Sequence, residues 1–104
     1  NSNKCLAYHT LENRDKELPK NIINKMGNWI AGCDICQEVC PWNQNNIPNT
    51  SEPDLQPSEW ILNITKKDAL SWTDSQWKEN LNKSALKRIK PWMWRRNINS
   101  ISNN

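Results

Sequence analysis

A short cysteine run constrains this chain more than any other feature of its sequence. The run reads Cys33-Asp34-Ile35-Cys36-Gln37-Glu38-Val39-Cys40-Pro41, and a fourth cysteine, Cys5, lies upstream of it. Bacterial iron–sulfur proteins carry the run C-x2-C-x2-C-x3-C-P, in which the last cysteine binds a second cluster. Aligned on the proline, this chain has the last three of those cysteines, and Ile30 stands where the first would be. We therefore expect the fold to bring Cys5 back beside the run.

The spacing within the run favours two iron–sulfur clusters over one. Two intervening residues let Cys33 and Cys36 face the same 4Fe-4S cube from one turn, whose backbone N–H groups point at the sulfur atoms. Three intervening residues and the helix-breaking proline then turn Cys40 away from that cube. We predict that Cys5, Cys33 and Cys36 bind one 4Fe-4S cluster, whose fourth ligand lies outside this chain. Cys40 would bind a second 4Fe-4S cluster, whose other three ligands are also outside.

Three other uses of the cysteines stay open on the residues alone. One cluster could take all four cysteines. A four-cysteine zinc site could use the same residues, although such sites prefer two C-x2-C knuckles and this chain has one. Disulfides need an oxidising compartment, for which the sequence carries no signal. The single histidine, His9, has no obvious partner, so we interpret it as structural and assign no catalytic residue.

The rest of the sequence predicts a small, mainly α chain. Only 36% of the 104 residues are hydrophobic, and seven Trp with no Phe supply the aromatic bulk. Chains this short often depend on a metal, a cofactor or a partner. Capping residues, prolines and glycines predict helices at 5–12, 19–26, 34–39, 65–72, 74–81, 85–90 and 92–101. We divide the chain into a ferredoxin-like 4Fe-4S-binding half at 1–43, a loop at 44–59 and a small helical segment at 60–104.

Neither a membrane span nor a signal peptide is predicted. No apolar run approaches the roughly 18 residues that a span needs, and no basic start is followed by an apolar stretch and a cleavage site. The chain opens at Asn1, four residues before a cysteine and without an obvious domain edge. We therefore expect a piece, or a processed form, of something longer.

Positive charge is concentrated near the end of the chain. The net charge is +3, but residues 83–96 carry six cations and no acid, and no acid follows Glu79. A one-sided basic segment is typical of a phosphate-rich partner such as nucleic acid, and a solvated helix face is the alternative. The candidate contacts are Lys87, Arg88, Arg95 and Arg96. Trp92 and Trp94 beside them could stack on bases or pack against the preceding helices.

Two stretches of the sequence carry a resemblance to a known family. They are Cys5-Leu6-Ala7-Tyr8-His9-Thr10-Leu11-Glu12 and Gly27-Asn28-Trp29-Ile30-Ala31-Gly32-Cys33-Asp34-Ile35-Cys36-Gln37-Glu38-Val39-Cys40-Pro41-Trp42-Asn43. Together they resemble the iron–sulfur region of epoxyqueuosine reductases. The tail from Ser84-Ala85-Leu86-Lys87-Arg88 to Arg96-Asn97 resembles the helical segment that follows it there. The resemblance covers nearly the whole chain, is most specific at 32–43 and is weak in the loop.

The resemblance implies a cytoplasmic bacterial enzyme that completes queuosine synthesis in tRNA. Such an enzyme removes the epoxide oxygen of epoxyqueuosine at the wobble position, with cobalamin and two 4Fe-4S clusters that pass electrons to it. The resemblance also implies one cluster for Cys5, Cys33 and Cys36 and another for Cys40. The cobalamin-binding domain and the proton-donating acid lie upstream of the equivalent of Asn1, so we expect this chain alone to be inactive.

The expected partners follow from the same resemblance. They are tRNA and an electron donor protein, with no membrane, and we expect a monomer. The main alternative is a ferredoxin-like electron-transfer module of another reductase, which would lack cobalamin and tRNA. A zinc-bound nucleic-acid module is the second alternative.

Overall fold

Seven α-helices and four short 3-10 turns form the described part of the chain, residues 1–102, in this computed structural model. The helices are α1 (Leu6–Leu11), α2 (Lys20–Met26), α3 (Ile35–Glu38), α4 (Glu59–Asn63), α5 (Lys66–Ser71), α6 (Asp74–Leu81) and α7 (Pro91–Ser102). The 3-10 turns are Ser2–Lys4, Pro41–Asn43, Pro53–Leu55 and Ala85–Arg88. No strand occurs within this range, so the prediction of a mainly α chain is confirmed. The ferredoxin-like arrangement of residues 1–43 stays a prediction.

Local signals set several of the helix ends. Thr73 caps α6 as predicted: its hydroxyl accepts from the Gln76 N–H at 3.2 Å, and the Gln76 side chain accepts from the Thr73 N–H at 2.9 Å. Gly27 ends α2 with a φ of 54°, a conformation that disfavours residues with a side chain. Pro19 is the N-cap of α2, one position before the first turn where it was expected. Pro91 opens α7, where its missing N–H costs nothing.

Helix α7 is shared by the two hydrophobic clusters of the protein. The first cluster consists of Ala69, Trp77, Leu81, Ile89, Met93, Trp94 and Ile98. The second consists of Leu6, Leu18, Ile22, Met26 and Ile101. The stripe of Met93, Trp94, Ile98 and Ile101 follows helical spacing, so one face of α7 contributes to both. This helix therefore joins the cysteine-bearing half of the chain to the helices that follow it.

Tryptophans form a continuous aromatic group beside α7. Trp72 stacks on Trp94 at 5.9 Å between ring centroids, and Trp60 meets Trp72 edge-on at 5.4 Å. The Trp94 indole N–H donates to the Ala69 carbonyl at 3.2 Å. Trp94 is thus buried by packing, whereas the side chain of Trp92 remains 42% exposed.

The loop at 44–59 is largely exposed and contains the Pro53–Leu55 turn, and α4 begins at its last residue. The boundaries 1–43, 44–59 and 60–104 remain a prediction, and Asn103 and Asn104 lie outside the described residues. Among the helices described, none combines the length and the apolar character that crossing a bilayer requires.

Candidate metal centre

The structure places the four cysteines in or beside short helical elements. Cys5 immediately precedes α1, Cys33 lies two residues before α3, Cys36 is the second residue of α3, and Cys40 leads into the Pro41–Asn43 turn. All four are free thiols. Cys5 and Cys36 are exposed, and Cys33 and Cys40 are half-buried. Each cysteine is therefore at the end or edge of a short element rather than inside the core.

Gly32 connects the Cys33 segment to α1 by a hydrogen bond. Its φ of 78° lies in the left-handed region, so a glycine suits the turn that leads into Cys33. The Gly32 N–H donates to the hydroxyl of Thr10 at 3.0 Å. Cys33 itself packs against the second hydrophobic cluster. The approach to the first cysteine of the run is thus fixed from α1.

Asn97 on α7 reinforces the same junction. Its side-chain amide donates to the Thr10 carbonyl and to the Ile30 carbonyl, both at 2.9 Å. The Thr10 hydroxyl in turn donates to the Leu6 carbonyl at 2.9 Å, one residue after Cys5. Asn97 and Thr10 are fully buried. The segments that carry Cys5 and Cys33 therefore share one buried set of hydrogen bonds.

Arg96 lies inside this set rather than on the surface. Its five N–H donors bond to the carbonyls of His9, Asn13 and Asp15 and to the side-chain oxygen of Asn97, at 2.7 to 3.1 Å. Burial lowers the pKa of Arg96, while Asp15 raises it and Arg14 lowers it further. The guanidinium also lies over the Trp92 ring at 5.4 Å. Contrary to the prediction, Arg96 is therefore not exposed for contact with nucleic acid, because its donors are all occupied within the protein.

His9 also has a place in the interior. It is 4% exposed; its Nε2 lies 2.9 Å from the Asn3 carbonyl and its Nδ1 lies 3.0 Å from the Asn13 amide nitrogen. These contacts fit a neutral ring that donates from Nε2 and accepts at Nδ1. They give the histidine partners that its sequence context did not reveal, and they suit a structural role.

The segment from 34 to 44 behaves differently from the junction. Its described hydrogen bonds stay within the segment; for example, the Asn43 amide donates to the Gln37 carbonyl at 3.0 Å. Ile35, Val39 and Trp42 are exposed, and Trp42 reaches 91%. Cys36 and Cys40 thus lie on a segment whose described hydrogen bonds are internal to it and whose exposed side chains include three large apolar ones.

Known proteins match both halves of the chain. A family model for a 4Fe-4S double cluster binding domain matches residues 1–43, a range that contains all four cysteines. An epoxyqueuosine reductase of Prochlorococcus marinus (strain NATL2A) is 81% identical over 102 residues, which are 98% of this chain and 33% of the relative. A Synechococcus epoxyqueuosine reductase (strain CC9605) is 56% identical over 94 residues, 90% of this chain and 29% of the relative. Over nearly its whole length, the chain is therefore similar to a part of these epoxyqueuosine reductases.

The match to these reductases covers only part of them. The chain spans about a third of the length of the curated epoxyqueuosine reductases it matches. No solved structure was found to match it. A more distant epoxyqueuosine reductase, of Cellulophaga algicola (strain DSM 14237), is 42% identical over 98 residues, 94% of this chain and 31% of the relative. The similarity therefore extends through α7 as well as the cysteine run.

The donor set suits iron–sulfur clusters of the kind that the family model describes. Such clusters are held by cysteine thiolates, and this chain supplies four thiols, none of them in a disulfide. Within residues 1–102, no three His, Cys, Asp or Glu side chains converge closely enough to share a single metal ion. In a cluster each cysteine binds its own iron, so separate segments can supply the ligands.

Proposed function

We propose that this chain is the iron–sulfur portion of an epoxyqueuosine reductase and that its four cysteines contribute to two 4Fe-4S clusters. The observation that supports this most strongly is the match of residues 1–43 to a double-cluster domain, within a chain that is 81% identical to a reductase of that name. Cys5, Cys33 and Cys36 would bind one cluster and Cys40 the other. The rest of each ligand set would come from sequence outside this chain.

In this proposal, the chain holds redox groups through its thiolates. When bound, the clusters supply one-electron transfer towards the cobalamin that we propose for the complete enzyme. The thiolates of this chain would fix their clusters, and the buried contacts of Thr10 and Asn97 would orient two of the ligand segments. We assign no proton donor here. The complete enzyme would act as a monomer on epoxyqueuosine in tRNA, in the cytoplasm, with electrons from a donor protein.

A hybrid reductase tests the proposal directly. In this hybrid, the present chain replaces the matching third of the Prochlorococcus marinus (strain NATL2A) relative. We expect about eight irons and eight sulfides per protein, as two 4Fe-4S clusters require, and conversion of epoxyqueuosine to queuosine in tRNA. The chain alone should give no conversion. Stoichiometric zinc, or about four irons per protein, would contradict the two-cluster proposal. Full iron content without conversion would favour a ferredoxin-like module of another reductase.

The basic segment, residues 83–95, is our proposed tRNA contact. Within it Lys87 and Arg88 are exposed and Arg95 is half-exposed. Arg88 pairs with Glu12 at 2.6 Å and Arg95 with Asp74 at 2.5 Å. Ion pairs at exposed positions contribute little free energy, so these cations can exchange their partners for phosphate.

Charge reversal in the hybrid reductase measures this contact. We expect Lys87→Glu, Arg88→Glu and Arg95→Glu together to weaken tRNA binding and to lower its salt dependence by about one unit of slope for each phosphate that is no longer neutralised. The matched control reverses three exposed lysines outside the segment, Lys66, Lys67 and Lys78, with the same change in net charge. Equal weakening by both triple variants would show that net charge alone governs binding.

A further inference from the structure

The two segments that carry Cys5 and Cys33 are joined by side chains that the proposed ligand set does not include. Thr10 lies on α1, five residues after Cys5, and Gly32 lies immediately before Cys33. The Thr10 hydroxyl bridges them: it donates to the Leu6 carbonyl at 2.9 Å and accepts from the Gly32 N–H at 3.0 Å. A single buried oxygen thus sets the separation between the start of α1 and the approach to Cys33.

Asn97 holds the same two segments from α7. Its amide nitrogen donates to the Thr10 carbonyl and the Ile30 carbonyl, and its oxygen accepts two N–H groups of Arg96. All four hydrogen-bonding positions of this side chain are therefore used. Because every hydrogen-bonding position is used, the amide is held in one orientation. Asn97 therefore fixes the backbone at Thr10 and at Ile30 relative to α7.

The contacts are selective among the cysteines. The hydrogen bonds of residues 34–44, which carry Cys36 and Cys40, stay within that segment. Thr10 and Asn97 therefore fix the relative placement of the Cys5 and Cys33 segments, and they leave Cys36 and Cys40 to their local turns.

We propose that Thr10 and Asn97 are positioning residues for the cluster that Cys5, Cys33 and Cys36 bind. This inference rests on the ligand assignment in the proposed function. Groups that orient metal ligands without touching the metal commonly change metal affinity about 10- to 100-fold when they are replaced. The effect should be confined to one of the two clusters, because Cys5 and Cys33, whose segments are joined by these contacts, are both assigned to that cluster, whereas Cys40 is assigned to the other.

Three substitutions in the hybrid reductase test the proposal. Thr10→Val removes the hydroxyl at constant shape, and Thr10→Ser retains it. Asn97→Asp keeps an oxygen for Arg96 and loses both amide donations, so it gives a second route if Thr10→Val does not fold. Leu81→Ala is the destabilising control, since Leu81 is fully buried in the first hydrophobic cluster on α6. The readouts are iron loss in air, the electron paramagnetic resonance spectrum and the reduction potential of each cluster.

We expect Thr10→Val and Asn97→Asp to speed the loss of one cluster about 10- to 100-fold and to change its resonance and potential. The second cluster, identified by its absence in Cys40→Ser, should keep its spectrum. Thr10→Ser and Leu81→Ala should leave both spectra unchanged. Wild-type behaviour in Thr10→Val, or equal changes in both clusters, would overturn the inference while the proposed function stands. A parent hybrid without clusters would overturn both.

Discussion

Arg96→Ala is expected to lower the free energy of unfolding by about 3–5 kcal/mol, because several acceptors packed around this side chain lose their hydrogen-bond donors together. The substitution leaves the carbonyls of His9 and Asn13 without the donor that now satisfies them in the interior, and it also removes the donor to the part-buried Asp15 carbonyl. Each buried group left unpaired costs about 1–3 kcal/mol. Arg96→Lys should restore only part of the loss, because one ammonium cannot reproduce the planar fork of donors.

Urea unfolding of the chain, followed by tryptophan fluorescence, measures this change. Arg88→Ala is the matched control: it removes the same charge from an exposed pair, with a side chain that is 67% exposed, and should cost about 0–1 kcal/mol. If both alanine variants unfolded at the same urea concentration, the buried hydrogen bonds of Arg96 would not stabilise the fold. Arg96 would then again be a candidate tRNA contact.

The second large effect concerns the division of the cysteines between two clusters. In the hybrid reductase, Cys33→Ser and Cys40→Ser should each remove about four of the eight irons, as loss of one 4Fe-4S cluster requires. The double variant Cys33→Ser with Cys40→Ser should lose all of them. Cys33→Ser with Cys36→Ser should lose no more than either single variant, because these two cysteines share a cluster.

Iron and sulfide content with electron paramagnetic resonance distinguishes these outcomes. Val39→Ala is the control within the same segment; Val39 is 69% exposed and lies between Cys36 and Cys40, so its truncation should retain both clusters. A double variant at Cys33 and Cys40 that retained four irons would support one cluster bound by all four cysteines.

Helix ends were predictable because their determinants are local. Thr73 was expected to cap a helix at 74–81, and α6 spans Asp74–Leu81 with its capping box formed. Helix α4, in contrast, was not predicted; it begins after Ser58, whose side chain makes no capping hydrogen bond. Its five residues carry little periodicity, so the sequence offers no local signal of comparable strength.

The roles of Arg96 and Asn97 could not be predicted from the basic segment alone. Both act through contacts with α1 that are more than 80 residues away in the chain, and no local pattern encodes such a contact. Charge indicated a surface site, which is where most arginines lie. The helical spacing of Met93, Ile98 and Ile101 was a weak indication that Asn97 is buried, because it places Asn97 beside the buried stripe of α7.

The placement of α7 limits how the cysteine region can be used as a transplantable cassette. Residues 1–43 contain every cysteine, yet Ile101 completes their hydrophobic cluster and Asn97 satisfies the carbonyls of Thr10 and Ile30. A cassette cut after residue 43 would expose that apolar surface and leave both carbonyls without this donor. Protein engineers who move this electron-transfer element into another scaffold therefore need to carry the terminal helix with it, or design a substitute that supplies the same amide.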